Sequence, residues 1–100
     1  MTSVLLAEDQ GLVREGIRRI LEGAGEYDIV GEASTGEEAV RLTFHLKPDI
    51  VFMDLHMPPG YGGIEATRRI VRTCAETRVI ALTVIADNHY PIQVFDAGAM

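Results

Sequence analysis

Cysteine is almost missing from this sequence, and Cys74 stands alone. With no second cysteine to pair with, a disulfide-stapled secreted scaffold is excluded, and a reducing, cytoplasmic setting is expected. Long apolar runs are missing too. None approaches the roughly 18 residues of a transmembrane helix. The amino terminus lacks the basic n-region and long apolar h-region of a signal peptide, so no membrane partner is expected. Basic residues are scarce: 9 Lys and Arg stand against 15 Asp and Glu, a formal net charge of −6. Phosphate neutralisation needs a basic face, so this stretch is a poor candidate for direct DNA binding. There is no internal repeat, linker or low-complexity segment.

What is present fits one α/β domain. The length of 100 residues is near the common domain size, and 47% hydrophobic with 24% charged residues is ordinary for a globular chain. Val4-Leu5-Leu6-Ala7 is a short buried-strand candidate that ends in Glu8-Asp9. Val13, Ile17, Ile20 and Leu21 form the stripe of an amphipathic helix, stopped at Gly23-Ala24-Gly25. Asp28 to Ala33 reads as a second strand, nearer a sheet edge because it is less apolar. Thr35 with Glu38 matches a capping box, followed by a helix face of Ala39, Leu42, Thr43 and Leu46 and closed by Lys47-Pro48. Asp49-Ile50-Val51-Phe52-Met53-Asp54 reads as a strand buried on both faces. After a Pro/Gly-rich loop, Ile64, Thr67, Ile70 and Val71 mark a third helix, with Arg68, Arg69 and Arg72 toward water. Val79-Ile80-Ala81-Leu82 is a fourth strand ending at Thr83. Asp87-Asn88 as caps, Pro91 in a first turn, and Ile92, Phe95 and Ala99 on one face predict a fourth helix. The alternation predicts a doubly wound parallel sheet with helices on both sides.

Chemistry in such folds collects at the carboxyl ends of the strands. Glu8 and Asp9 follow the first strand there, and Asp54 ends the third. Taken singly, each also fits a helix cap or a solvated residue. Together they fall on one predicted rim, where carboxylates repel and one is pushed toward its neutral form. A bound Mg2+ removes that conflict, since it prefers hard oxygen ligands. The backbone carbonyl of His56 is a further candidate ligand. A carboxylate is a competent nucleophile toward a phosphoryl group, and Thr83 is placed to offer a hydroxyl to it. His45 and His89 read as surface or capping residues, and Cys74 as an inert helix residue.

Several stretches together resemble the receiver domain of bacterial two-component response regulators. They are Val4-Leu5-Leu6-Ala7-Glu8-Asp9, Asp49 through Pro58, Gly63-Ile64-Glu65-Ala66-Thr67-Arg68-Arg69-Ile70, Val79-Ile80-Ala81-Leu82-Thr83 and Ala97-Gly98-Ala99. The resemblance covers essentially the whole chain, read as one receiver domain over residues 1–100. It is greatest to the class that precedes a LuxR-type helix-turn-helix domain. It implies a flavodoxin-like sheet of order 2-1-3-4-5, with the fifth strand and last helix missing here. It implies Asp54 as phosphoryl acceptor, Glu8, Asp9, Asp54 and the His56 carbonyl as Mg2+ ligands, and Thr83 as switch hydroxyl. A histidine kinase or a small phosphodonor would supply the phosphoryl group. The full-length protein would form a homodimer and reach DNA only through a missing C-terminal domain. The output surface would involve residues 86–99, with Tyr90 and Pro91 as a candidate partner contact. This is a regulatory phosphoacceptor more than a turnover enzyme.

The chain departs from the family pattern twice. The loop Met57-Pro58-Pro59-Gly60-Tyr61-Gly62-Gly63 is one residue longer than usual. The family's lysine and aromatic switch residue belong to the fifth strand, and Lys47, the one lysine here, does not replace the former. Two other readings compete. A pseudo-receiver would act without phosphorylation. A flavodoxin-like nucleotide or cofactor binder needs a glycine-rich phosphate loop where Glu8-Asp9-Gln10-Gly11 is acidic.

Overall fold

The computed structural model describes residues 1–57, 62–83 and 93–96, with the side chains of Thr83 and of 93–96 outside the description. Its elements are β1 (Thr2–Ala7), α1 (Gly11–Ala24), β2 (Tyr27–Ala33), α2 (Gly36–Leu46), β3 (Ile50–Asp54), α3 (Gly62–Thr73), β4 (Arg78–Thr83) and β5 (Gln93–Asp96). They form one sheet of order β2-β1-β3-β4-β5. β1 to β4 pair in parallel. The doubly wound, flavodoxin-like architecture is therefore as expected.

The helix boundaries follow from local chemistry. Gly25 takes a left-handed φ of 76° after α1, and its N–H reaches the Glu22 carbonyl. Thr35 Oγ1 accepts from the Glu38 N–H at 3.1 Å. The return arm of this cap goes one residue further back, because Glu38 Oε1 accepts from the Ser34 N–H at 2.8 Å. Lys47 closes α2 with φ 48°, its N–H on the Thr43 carbonyl. Pro48 cannot continue the helix.

The sheet's two faces are covered differently. Leu5, Ala7, Val51, Met53 and Val79 pack with Ala39 of α2 and with Ala66 and Ile70 of α3, all fully buried. On the other face, Val4 and Leu6 pack with Leu21 of α1, and Ile50 and Phe52 are only half-buried. β3 is thus sealed on one face and partly open on the other, a correction to the expectation of burial on both. Only one helix covers this second face among the described residues. Two helix stripes also shift. Ile20 is 71% exposed, leaving Val13, Ile17 and Leu21 as the inner face of α1. Ile64 is exposed as well, and Gly63, Ala66, Thr67 and Ile70 form the buried face of α3.

Residues 93–96 depart most from expectation. Over 93–96 the helical reading gives way to β5, which pairs antiparallel with β4, Thr83 opposite Gln93 and Ala81 opposite Phe95; the rest of that reading, at 91–92 and 97–99, lies outside the described residues. Val94 and Phe95 favour strands, and β4 otherwise presents an unpaired edge whose backbone groups need partners. A fifth strand therefore exists here, in the opposite direction to the family's. The remaining expectations in this region, on Asp87, Asn88, His89, Tyr90, Pro91 and Ile92, lie outside the described residues. So does the path of Pro58 to Tyr61.

Candidate functional site

Register brings the acidic residues together. Ala7 of β1 lies opposite Met53 of β3, so the next residue on each strand, Glu8 and Asp54, meets at the same rim. One carboxylate oxygen from each of Glu8, Asp9 and Asp54 lies within 4.8 Å of the others. Glu8 is 2% and Asp54 6% exposed.

Backbone N–H groups hold one oxygen of Glu8 and one of Asp54. Glu8 Oε2 accepts from the Gln10 N–H at 3.0 Å. Asp54 Oδ1 accepts from the His56 N–H at 3.0 Å. Glu8 Oε1 and Asp9 Oδ1 are buried with no hydrogen-bond partner. A buried carboxylate oxygen without a partner is costly, and a cation is the partner that answers several at once. Burial is the main cause that pushes the Glu8 carboxyl up to about 8, with the Asp54 charge adding to it and the Gln10 N–H opposing it. Asp54 is raised as well, again first by burial, and the His56 N–H pulls the other way. Without a cation, burial therefore favours the protonated form of Glu8. The donor set is all oxygen and suits a hard divalent ion.

The frame behind Asp54 rests on glycines. A Cβ on Gly63 would lie 1.9 Å from the Asp54 carbonyl oxygen. Gly62 has φ +68°, a left-handed conformation that glycine adopts without strain. A Cβ on Gly36 would lie 2.6 Å from the Gly62 carbonyl oxygen. The start of α3 thus presses on the residue that ends β3, and the start of α2 presses on α3. The sequence reading quoted Gly62 and Gly63 within a loop and a motif but gave none of these positions a packing role. The Gly62-Gly63 doublet at a loop's end was the available signal.

The other expected site residues divide. Leu82 pairs with Asp54 across β3 and β4, so the backbone of Thr83 continues along the same rim. Its side chain is outside the described residues. His56 is exposed, and the structure shows its N–H engaged with Asp54. His45 is exposed in the last turn of α2, as read. Arg68 and Arg69 are paired with Glu65 rather than merely solvated. A hollow of about 300 Å3 lined by Phe44, Lys47, Cys74 and Thr77 lies away from the carboxylates, beside the starts of β3 and β4.

The sequence pattern of the response regulator receiver domain matches residues 4–100. The chain belongs to that family. This receiver is 50% identical over 99 residues to the response regulator UvrY of Escherichia coli K12, covering 99% of this chain and 45% of that protein. It is 42% identical over 99 residues to the response regulator GacA of Pseudomonas viridiflava, covering 99% of this chain and 46% of that protein. The receiver thus spans about half the length of these curated relatives. Its fold superposes on the crystal structure of a LuxR-family two-component response regulator from Aurantimonas sp. SI85-9A1 with a TM-score of 0.79 at 42% identity. That match covers 85% of this chain and 60% of the other. The receiver family membership does not favour a flavodoxin-like cofactor binder or a pseudo-receiver.

Proposed function

We propose that this receiver accepts a phosphoryl group on Asp54 in a Mg2+-dependent reaction and so regulates an output carried elsewhere in a longer protein. The observation that carries the reading is the cluster itself: three carboxylates within 4.8 Å, two of them with a buried oxygen that lacks a partner. Glu8, Asp9, Asp54 and the His56 carbonyl are the proposed ligands. Bound there, Mg2+ supplies charge neutralisation for the incoming phosphoryl oxygens.

The chain's own residues do the rest. The His56 N–H holds Asp54 Oδ1, which leaves Oδ2 as the nucleophile. That oxygen forms a bond to phosphorus. The bond between phosphorus and the donor's nitrogen, or oxygen in an acyl phosphate, breaks, and the donor leaves with the electron pair. The donors we propose are a histidine kinase or a small acyl phosphate. Thr83, on the same rim, is the proposed hydroxyl that bonds the new phosphoryl oxygens and shifts the population between two packings. In this reading the domain is regulatory, with no turnover of its own beyond its phosphorylation. Its setting is cytoplasmic; no helix among the described residues is long and apolar enough to cross a membrane. A homodimer of the longer protein and DNA contact through a C-terminal domain belong to the same proposal.

The test is uptake of a phosphoryl label from a small acyl phosphate, with Mg2+ or with excess chelator. Label in the first case only, and none in Asp54→Asn, is the expected result. Stoichiometric label in Asp54→Asn would show that another residue is the acceptor.

A further inference from the structure

Arg14 lies outside the carboxylate cluster and grips it from behind. Its Nη1 donates to the Glu8 backbone carbonyl at 2.8 Å. Its Nε lies 2.8 Å from Glu32 Oε1. Arg14 sits in the first turn of α1, with its own N–H on the Gln10 carbonyl at 2.9 Å. Glu32 precedes Ala33 on β2, and the Ala33 carbonyl accepts the Glu8 N–H at 2.9 Å. The backbone of Glu8 is therefore held on both sides, by β2 through its N–H and by Arg14 through its carbonyl.

The consequence reaches Asp9. The Glu8 carbonyl and the Asp9 N–H belong to one planar peptide group. Fixing the carbonyl fixes that plane, and with it the direction in which the chain enters Asp9. The Gln10 N–H then returns to Glu8 Oε2, so the loop is closed with Glu8 Oε1 and Asp9 Oδ1 left over. A guanidinium suits this task, because its donors form a rigid fork that can serve a carbonyl and a carboxylate together. Charge-assisted bonds of this kind are also the stronger ones. Arg18, one turn along α1, offers a contrast. It shares Glu32 at 3.7 Å, and its other partners are Glu15 and Glu22.

We propose that Arg14, oriented by Glu32, is a positioning residue for the acidic site, setting the Glu8-Asp9 peptide so that both carboxylates face one cation. This inference rests on the reading of the cluster as a Mg2+ site. It concerns affinity for the metal, not the phosphoryl chemistry.

The experiment is calorimetric titration of the chain with MgCl2, alongside thermal melts in chelator. Outer residues that orient metal ligands typically contribute about 10–100-fold in affinity. Arg14→Ala is expected to lose that much, and Arg14→Lys to recover only part of it. Arg18→Ala removes an ion pair from the same Glu32 and is expected to keep the unmodified chain's affinity. Unchanged affinity in Arg14→Ala overturns the role. An equal loss in Arg18→Ala overturns it too, because loosening of α1 against β2 would then be the cause. If Arg14→Ala does not fold by circular dichroism, Arg14→Lys decides: unmodified affinity in that variant overturns the role. No Mg2+ binding by the unmodified chain is a separate failure, that of the metal reading itself.

Discussion

Glu8→Gln is the perturbation that reads the buried site most sharply. In the folded chain the Glu8 carboxyl is raised from its ordinary 4.5 to about 8, mainly by burial. Below pH 4.5 both folded and unfolded chains hold this proton, and pH has no effect through it. Between 4.5 and about 8 the unfolded chain releases the proton while the folded chain keeps it. Metal-free stability must therefore fall as pH rises across that window and level off above it. Each unit of separation is worth about 1.4 kcal/mol. The full window then corresponds to at most about 5 kcal/mol, and to about 3 kcal/mol at pH 7. Asp54 is shifted in the same direction and adds to the fall. The amide in Glu8→Gln has no proton to lose, so the variant is expected to be more stable than the unmodified chain in chelator at pH 8. Mg2+ narrows that gap. A ligand at about 100 times its dissociation constant adds about 2.7 kcal/mol to the chain that binds it, and the variant has lost one ligand charge. Urea denaturation at pH 5, 6, 7 and 8, with chelator and with Mg2+, measures both effects. A flat metal-free profile in the unmodified chain, or equal Mg2+ stabilisation of both chains, would refute the reasoning.

Four further substitutions test the frame. Gly63→Ala puts a methyl group 1.9 Å from the Asp54 carbonyl oxygen, so backbone must move; the loss should reach or exceed the about 1–3 kcal/mol of ordinary overpacking, with weaker Mg2+ binding, both read by urea titration. Thr35→Ala removes the cap on the Glu38 N–H and should cost about 1 kcal/mol by the same assay. On α1, Leu21→Ala should cost about 2–5 kcal/mol, whereas Ile20→Glu should stay within about 0.5 kcal/mol, because Leu21 is 8% and Ile20 71% exposed.

The parallel sheet was legible because its inner strands are short apolar runs that stop at a polar rim. Val4 to Ala7 ends at Glu8, and Ile50 to Met53 ends at Asp54. The carboxylate cluster was legible for the same reason, since strand ends on neighbouring parallel strands share one edge of the sheet. Helix faces were less so. Ile20 and Ile64 fit the helical period as well as their buried neighbours do, and a period alone does not say how wide the covered stripe is. The segment around Val94 and Phe95 was misread because a few apolar residues fit both periods, and an open sheet edge decided between them. Arg14 escaped notice, and Gly63 was quoted only within a motif with no structural role, for another reason. Their roles are contacts with backbone carbonyls, of Glu8 and Asp54, and no side-chain pattern announces a backbone partner.

The most direct measurement of the central claim is the location of the phosphoryl group. The chain is incubated with an acyl phosphate and Mg2+, trapped by borohydride reduction, digested and sequenced by mass spectrometry. Reduction at Asp54 alone, abolished by chelator, is the result predicted. Modification at another carboxylate, or at Asp54 without regard to Mg2+, would contradict the account.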